Sequence, residues 1–329
     1  MTRVRPFAAS HSVAWMSGLH VVLGGSGGIG GAVVRELASR DVEVRAVSRA
    51  EDAPVPDGVT WRAADVATTA GAALACEGAA VIYHCMQPPY DHWSEQFPAL
   101  NRAVADAVAA EGAKLVYADN LYMYWPLADP ITEMSPQQPS SRKGRLRKEL
   151  ADAMLAAYGA GRLRVAIGRA ADYYGPGGRN SIVGDTFFGA AVAGKPVRWP
   201  ASADQPRSFG YLPDVARGLV TIGENDAADG RAWIIPTAPP LTARALAALV
   251  GQDLGRPVKL VVTSKLAMRL AGLFIPPARE LPDIWYQFSA PFTVDGSSFQ
   301  TEFGGFDPTS HDRAVHDTVA WFRSHAAGP

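Results

Sequence analysis

The chain has 329 residues, of which 31 are Lys or Arg and 32 are Asp or Glu, so its formal net charge is −1. That balance gives no electrostatic field to recruit nucleic acid or an anionic membrane, and charge or glycine interrupts every apolar stretch well short of a membrane span. Hydrophobic residues make up 48% of the sequence, and its two cysteines, Cys76 and Cys85, form no paired-cysteine motif; together these predict a soluble protein of a reducing, cytoplasmic compartment.

The first 18 residues precede any recognisable element. They lack the sustained apolar core and small-residue cleavage site of a secretory signal, and Met16 stands just before the first apolar run. We predict that residues 1–18 form a disordered tail or, alternatively, an extended start of the chain.

The first element is the apolar run 19–23, followed at once by a glycine-rich turn and a helical pattern. Glycines at this point let the backbone approach a pyrophosphate, which the free N–H groups of the helix N-terminus then bind. The turn fits two spacings, G-x-x-G-x-x-G and G-x-G-x-x-G. The predicted cofactor contacts are Gly24, Ser26, Gly27, Gly28, Ile29 and Gly30.

Ser26 also completes a G-x-S-x-G pattern, which is typical of the nucleophile of many hydrolases. Those folds place several strands before the nucleophile, whereas here only the tail precedes it. We interpret Ser26 as a small turn residue that donates to phosphate.

The second strand, over 42–47, ends in Ser48 and Arg49, at the point that faces the adenosine ribose in dinucleotide-binding folds. A hydroxyl and a guanidinium suit the 2′-phosphate of NADP better than the 2′-hydroxyl of NAD. NADP(H) is therefore the preferred cofactor and NAD(H) the alternative. A longer turn could instead bring Glu51 or Asp52 to this position, with Arg49 directed into water.

Two later segments extend the predicted cofactor site. Asp65 and Val66 follow the third strand, where a carboxylate and a backbone amide can recognise adenine; Asp65 could equally cap the next helix. The loop after the strand 80–84 crosses the carboxyl ends of the strands, where open sheets bind ligands. From this loop we predict that Cys85 and Met86 contact the cofactor and that Gln87 and Tyr90 contact the substrate.

Strands and helices continue to alternate through the fifth strand at 114–117, a helix over 144–158 and a strand over 164–168. This alternation predicts an α/β fold with a Rossmann-type, doubly wound parallel sheet and a smaller C-terminal substrate-binding lobe. We assign residues 19–172, with a return at 207–236, to the dinucleotide-binding domain, and residues 173–206 and 237–329 to the lobe. Within these, 209–212 and 233–235 are predicted strands of the main sheet, and 181–193 a helix.

Several motifs give this chain a family resemblance. The glycine turn, the pair Asp65-Val66, and the segments 83–86, 169–177 and 207–216 match successive motifs in order. On these the chain resembles the extended short-chain dehydrogenase/reductase superfamily, of the NAD-dependent epimerase/dehydratase type. The resemblance implies a nicotinamide cofactor, a small-molecule substrate and the capacity to form a homodimer.

The catalytic pattern departs from that family, which uses Ser or Thr after the fifth strand and Tyr-x-x-x-Lys on the next helix. By resemblance Asn120 takes the serine position and Lys148 the lysine position, where it would bind the cofactor ribose. Gly144 then stands where the proton-donating tyrosine belongs. Lys148 also belongs to a basic cluster that could be an ordinary solvated helix face.

Three explanations remain open. Tyr122, on the same face of an extended segment as Asn120, could donate the proton, with Tyr124 in reserve; packing is its alternative role. The reaction could instead be a non-redox isomerisation, elimination or cyclisation, with Asp119 or Asp172 as acid or base. The protein could also be a non-catalytic sensor of NADP(H).

Predicted substrate contacts in and around the lobe are Tyr124, Asp172, Phe187 and Arg207. Aromatic residues, among them Trp199 and Trp285, favour a hydrophobic carbonyl compound, whereas Arg207 could bind a phosphate. The sequence contains neither an H-E-x-x-H pattern nor a paired-cysteine pattern, so it does not predict a metal site. The leading hypothesis is an NADP(H)-dependent oxidoreductase of a small, hydrophobic carbonyl or alcohol.

Overall fold

The computed structural model describes residues 18–40, 42–126, 130–271, 273 and 279–325. The predicted tail, apart from Gly18, lies outside these residues.

The strands are β1 (Leu19–Leu23), β2 (Val44–Ser48), β3 (Val59–Ala63), β4 (Ala79–His84), β5 (Lys114–Asp119), β6 (Arg164–Arg169), β7 (Tyr173–Tyr174), β8 (Val197–Pro200), β9 (Gly210–Tyr211), β10 (Ala232–Ile234) and β11 (Leu260–Thr263). Seven of them form a parallel sheet in the order β10-β6-β5-β4-β1-β2-β3. Strand β1, which lies between β4 and β2, is buried along its whole length, as expected for a strand covered on both faces. The order reverses beside β1, which confirms the predicted doubly wound, Rossmann-type sheet.

The helices connect these strands in the expected alternation. They are α1 (Gly28–Ala38), α2 (Thr69–Cys76), α3 (Trp93–Glu111), α4 (Arg142–Gly159), α5 (Ala190–Val192), α6 (Leu212–Gly223), α7 (Ala243–Leu254), α8 (Lys265–Ala271), α9 (Tyr286–Ser289), α10 (Ser297–Phe303) and α11 (His311–Ser324). A π-helix, Gly184–Gly189, precedes α5, so the single α-helix predicted over 181–193 is wrong. The chain is still turning at Ser181, whose carbonyl accepts from the N–H of Gly184.

The chain forms two compact units. The first comprises the described residues up to Asn120, with Leu146–Arg169 and Val215–Ile235, and contains the seven-stranded sheet. The second comprises Leu121–Arg145, Ala170–Asp214 and the described residues from Pro236 onward.

The second unit has its own aromatic core and two small sheets, β7–β9 and β8–β11. The prediction that 209–212 returns to the main sheet is wrong, because only two residues are extended there and they pair with β7 before α6 begins. The prediction for 233–235 is confirmed, since β10 pairs in parallel with β6.

Candidate functional site

The glycine turn of the first unit is built from backbone contacts alone. The N–H groups of Gly24 and Gly25 both donate to the Val47 carbonyl, at 2.9 and 3.0 Å, and Gly27 N–H donates to the Gly24 carbonyl at 2.9 Å. A Cβ atom on Gly30 would lie 2.1 Å from the Gly24 carbonyl oxygen, so only glycine fits there. The turn therefore holds the start of α1 tightly against the end of β1.

This arrangement fits a dinucleotide diphosphate. Helix α1 begins at Gly28 after an N-cap glycine that provides no side-chain cap, and Ser26 and Gly27 are exposed. The first N–H groups of a helix have no carbonyl one turn earlier and carry the positive end of its dipole. Bare backbone amides and small exposed residues are what a bound diphosphate requires.

Residues predicted to bind the adenosine end lie at the carboxyl ends of β2 and β3. Arg49 is exposed immediately after β2, and Ser48 Oγ accepts from the Ala50 N–H at 3.2 Å. Asp65 is exposed and Val66 buried. The suggestion that Asp65 caps α2 is wrong: Thr68 is the N-cap and accepts from the Gly71 N–H, while Asp65 closes a turn with the Ala67 N–H.

The loop after β4 is fixed by a buried histidine. His84 Nδ1 accepts from the Met86 N–H at 3.3 Å, so its Nε2 carries the proton and donates to Asn101 Oδ1 at 2.9 Å. Burial lowers the pKa of His84 to about 4 and raises that of the Cys85 thiol to about 12. Both groups are therefore neutral at physiological pH, which makes this loop an uncharged surface.

The loop also reaches the glycine turn. A Cβ on Gly24 would lie 2.8 Å from Met86 Cγ and 3.3 Å from the Cys85 carbonyl. Further along, Gln87 is exposed, and Tyr90 is half-buried with its ring 4.9 Å from that of Trp93. The structure thus places the predicted residues Cys85 and Met86 beside the turn.

Asp119, a predicted acid or base, lies at the end of β5 with its side chain fully buried between two arginines. Oδ1 accepts from Arg147 Nε at 2.8 Å and Oδ2 from Arg169 Nε at 3.2 Å. Both oxygens of this carboxylate are therefore held by guanidinium groups in an Arg–Asp–Arg cluster.

Arg147 is a residue that the sequence analysis missed. It is 3% exposed, and its guanidinium carbon lies 5.0 to 5.5 Å from the ring centroids of Phe97, Tyr117 and Trp93. The basic run 142–148 has the composition of a solvated helix face. The helix periodicity alone could have indicated that one of its side chains is directed toward the protein interior.

Lys148 and Gly144, for which the resemblance predicts the lysine and tyrosine positions, both lie in α4. Lys148 Nζ lies 2.5 Å from Asp152 Oδ2 on the next helical turn, and its side chain is 35% exposed. A Cβ on Gly144 would lie 2.4 Å from the Tyr122 carbonyl oxygen and 2.8 Å from Pro139 Cβ. A side chain is therefore excluded at position 144, and the absence of tyrosine there has a steric cause.

Tyr122 and Tyr124 follow Asn120, which is half-buried just after β5. The segment is not extended as assumed, because the Tyr124 N–H donates to the Leu121 carbonyl at 3.2 Å and closes a turn. The expected alternation of side chains from Asn120 to Tyr122 therefore does not apply. Tyr124 is fully buried, whereas the half-buried Tyr122 packs on the second unit's core.

The remaining predicted substrate contacts lie inside the second unit. Arg207 is 1% exposed and donates to Asp172 Oδ2 and to the Gln287 carbonyl. Phe187 is fully buried in the aromatic core together with Trp199. Phe187 packs in the core, and Arg207 forms a buried ion pair with Asp172.

Within the described residues, no three His, Cys, Asp or Glu side chains come together in a way that could hold a metal ion. None of the described helices has the length and apolar character that crossing a bilayer requires.

Solved structures share this fold at low sequence identity. UDP-N-acetylglucosamine 4-epimerase from Bacillus cereus matches with a TM-score of 0.75 and 18% identity, covering 95% of this chain and 99% of that one. dTDP-glucose 4,6-dehydratase from Streptomyces venezuelae, with NAD and TYD bound, matches with a TM-score of 0.75 and 18% identity over 93% and 97%. UDP-glucose 4-epimerase from Bifidobacterium longum, in complex with NAD+ and UDP, matches with a TM-score of 0.78 and 13% identity over 93% and 98%.

No curated protein matches the sequence. The model of the NAD dependent epimerase/dehydratase family matches residues 20–235, about two thirds of the chain, including the glycine turn and all of the seven-stranded sheet except its first residue, Leu19. The chain therefore belongs to the NAD-dependent epimerase/dehydratase family and is an enzyme of that type.

Proposed function

We propose that this enzyme is an NADP(H)-dependent oxidoreductase that interconverts the carbonyl and alcohol forms of a small organic substrate. The observation that carries the proposal is the glycine turn, where the Gly30 position excludes any side chain and the N-cap of α1 provides no side-chain cap. When bound, the nicotinamide ring supplies or accepts a hydride equivalent at its C4 atom. The turn, with Cys85 and Met86 beside it, would bind and orient that cofactor.

Redox chemistry is favoured over a non-redox reaction by the state of the two candidate carboxylates. Asp119 is held by Arg147 and Arg169, and Asp172 by Arg207. A carboxylate that exchanges protons with a substrate needs an oxygen available to it. Neither group is arranged as the acid or base that an isomerase, lyase or cyclase would use.

For the substrate, one observation favours a small molecule without a nucleotide, and a second removes an argument for its being hydrophobic. Arg207, the predicted phosphate contact, is committed to Asp172 and to the Gln287 carbonyl. The aromatic residues that suggested a hydrophobic compound, Phe187 and Trp199, are core residues, so hydrophobicity of the substrate loses that support. The nucleotide sugars named for the similar structures are the second candidate class.

The preference for NADP(H) rests on Arg49, which is exposed at the carboxyl end of β2. The nearby Arg45 and Arg62 are committed to carbonyls near the end of α2. We expect Arg49→Ala to weaken NADPH binding about tenfold, since one charge-assisted hydrogen bond contributes about 1.5 kcal/mol, and to leave NADH binding unchanged.

Calorimetric titration of both cofactors tests this directly. Arg198→Ala, which removes an exposed arginine on β8, is the matched control. Equal losses for NADPH and NADH would refute the proposed preference. If neither NADPH nor NADH binds, the proposed function is refuted.

Activity is then screened with NADPH and cyclohexanone, acetophenone, benzaldehyde and UDP-glucose. Loss of nicotinamide absorbance with a simple ketone or aldehyde supports the proposal. Conversion of UDP-glucose without net cofactor oxidation would support the second candidate class instead.

We further propose that the enzyme acts in the cytoplasm and that it pairs through α3 and α4, the helices that follow the fourth and fifth strands. Light scattering on the purified chain tests the dimer.

A further inference from the structure

Six large apolar side chains are exposed among the described residues, and four of them lie in one short stretch of the second unit. Val262 is 46% exposed, and Leu266, Leu270 and Leu273 are 68%, 56% and 64% exposed. The other two are scattered elsewhere in the sequence. Apolar residues exposed singly are ordinary, whereas a cluster of them marks a surface that binds a partner.

Helix α8 places the three leucines of this stretch on one side. The helix runs over Lys265–Ala271, and the Leu273 N–H donates to the Leu270 carbonyl at 3.1 Å, so the chain continues to turn beyond the helix end. Residues three and four positions apart share a helix face. Leu266, Leu270 and Leu273 therefore form an apolar ridge directed at solvent, which we call the leucine ridge.

The same stretch carries positive charge and no negative charge. Residues 254–279 contain five Lys or Arg and no Asp or Glu. The side chains of Lys259, Lys265 and Arg269 are exposed, and none of them forms an ion pair or hydrogen bond with a described residue. The formal net charge of −1 averages over the whole chain and hides this local excess.

The carboxylates that border the stretch in sequence have partners of their own. Asp253 Oδ1 lies 2.8 Å from His316 Nδ1, and Glu280 Oε2 lies 3.2 Å from Lys143 Nζ. They do not pair with the cations of α8, whose positive charge is left for a group outside the chain.

The two cations of α8 are placed unfavourably for the helix itself. Lys265 and Arg269 are four residues apart, where like charges repel. Lys265 also lies in the first turn, where the helix dipole disfavours a positive charge. No described carboxylate offsets either effect, whereas an anionic surface outside the chain offsets both.

An apolar ridge beside cations fits the surface of an anionic bilayer. Leucine side chains enter the boundary between headgroups and acyl chains, and long Lys and Arg side chains reach the lipid phosphates. Nucleic acid would pair with the cations but leave the leucines in water. Most of each leucine is exposed, so the ridge projects from the surface and does not form the groove that a partner's helix needs.

We propose that α8 attaches this protein peripherally to anionic membranes, with the leucine ridge in the interfacial layer and Lys265 and Arg269 on the lipid phosphates. This inference goes beyond the proposed oxidoreductase function and does not depend on it. The attachment is reversible, because a ridge of three leucines buries far less apolar surface than a spanning helix. Cytoplasmic leaflets carry anionic lipids, which agrees with the proposed compartment.

Co-sedimentation with lipid vesicles tests the attachment. The full chain is mixed with vesicles of phosphatidylcholine alone, or of phosphatidylcholine and phosphatidylserine in equal amounts. We expect binding to the mixed vesicles only, and weaker binding as salt is added, since the screening length falls from about 10 Å at 0.1 M to about 3 Å at 1 M. Binding to neither kind of vesicle, or equal binding to both, would overturn the proposal.

Variants of α8 separate the two parts of the surface. Leu266→Asp combined with Leu270→Asp should lower the partition coefficient onto mixed vesicles about 50-fold, because two leucines lose their partial burial in lipid. Lys265→Gln and Arg269→Gln should each lower it about fivefold, the usual effect of one cation near an anionic surface. All four side chains are exposed, so we expect urea unfolding of these variants to match wild type.

Met134→Asp and Arg162→Gln are the matched controls. Met134 is the most exposed large apolar side chain, at 91%, and Arg162 is an exposed cation of the first unit. Both variants should bind vesicles as wild type does. If they lose as much binding as the α8 variants, the contact is not specific to α8 and the proposal fails.

Two further measurements separate this inference from its alternatives. If wild type ignores vesicles and light scattering shows that Leu266→Asp with Leu270→Asp dissociates an oligomer, a second copy covers the ridge and the proposal is overturned. The same double variant should bind NADPH as wild type does. Loss of membrane binding therefore leaves the proposed function intact, and a protein that binds vesicles but no cofactor would contradict that function alone.

Hydrogen exchange read by mass spectrometry locates the contact without any substitution. Peptides covering Lys265–Ala271 should exchange more slowly when mixed vesicles are present, and peptides covering Ala243–Leu254 in α7 should not change. Protection that spares α8 and falls on another surface would overturn the proposal even if the vesicles bind.

Discussion

Two glycines of this chain meet the same steric condition with opposite consequences. A Cβ on Gly30 would lie 2.1 Å from the Gly24 carbonyl, and one on Gly144 would lie 2.4 Å from the Tyr122 carbonyl. The first lets α1 begin close against the end of β1, where the family binds its cofactor. The second brings α4 against the 121–124 turn, and it removes the position where the family places its tyrosine.

The difference shows which parts of the family pattern depend on the backbone. The glycine turn needs only backbone N–H groups and the absence of side chains, and this chain keeps the glycine spacing that the family uses there. The acid–base position of the family needs one particular side chain, and at Gly144 the Tyr122 carbonyl leaves no room for one. Changes at each glycine test this contrast.

The largest effect is expected for Gly30→Val. The branched side chain meets backbone on a rigid turn, so we expect a loss of about 4 kcal/mol in the free energy of unfolding, beyond the usual cost of overpacking. NADPH binding should be lost together with it, because α1 moves away from the turn. Denaturant unfolding and calorimetric titration measure the two effects.

Gly159→Ala is its matched control. Gly159 is the last residue of α4, and no described atom lies within 4 Å of a Cβ built there. Alanine should raise stability by up to about 1 kcal/mol through helix propensity. If Gly30→Val binds NADPH as wild type does, the turn is not the cofactor site.

Gly144→Tyr would complete the Tyr-x-x-x-Lys spacing of the family, but we expect it to lower both stability and turnover. Its Cβ would meet Tyr122 O, Pro139 Cβ and Ser141 Oγ, all within 2.8 Å, so the start of α4 must shift at a cost of about 3 kcal/mol. Turnover should fall, since this shift displaces α4 and the 121–124 turn against which it packs. A stable variant with higher kcat would show that the family register is the correct one.

The fold and the cofactor turn were predictable from sequence because their signals are local. Apolar runs such as 19–23 alternate with helical patterns, and Gly24, Gly27 and Gly30 carry their meaning in their spacing. The ends of strands were less accurate: β5 runs on to Asp119 rather than ending at Tyr117.

The burial of the basic side chains of α4 was not predictable in the same way. In the run 142–148 five of seven residues are basic, and only tertiary packing decides that Lys143 and Arg147 turn inward while Lys148 does not. The aromatic residues posed the same problem, since Phe187 and Trp199 could line a pocket or fill a core. Sequence gives their type, but the burial that decides their role arises from residues distant in the chain.

The smallest effect concerns the histidine beneath the cofactor turn. His84 positions Met86, and burial lowers its pKa to about 4 from an ordinary value of 6.5. Because the unfolded chain takes up this proton at higher pH than the folded protein, stability is complete above about pH 6.5 and declines as the pH falls toward 4. Between pH 7.5 and pH 5 the loss should be about 2 kcal/mol.

His84→Gln isolates this contribution. The glutamine amide can still donate to Asn101 but takes up no proton. The variant should therefore be less stable than wild type by an amount that does not depend on pH. Its decline in stability between pH 7.5 and pH 5 should be about 2 kcal/mol smaller than that of wild type. Urea unfolding at pH 7.5 and pH 5, with and without NADPH, measures the difference. An equal decline in both proteins would show that His84 takes up its proton in the folded protein as readily as in the unfolded chain. Its Nδ1 could then not accept the Met86 N–H, and the loop beside the glycine turn would be held by other contacts.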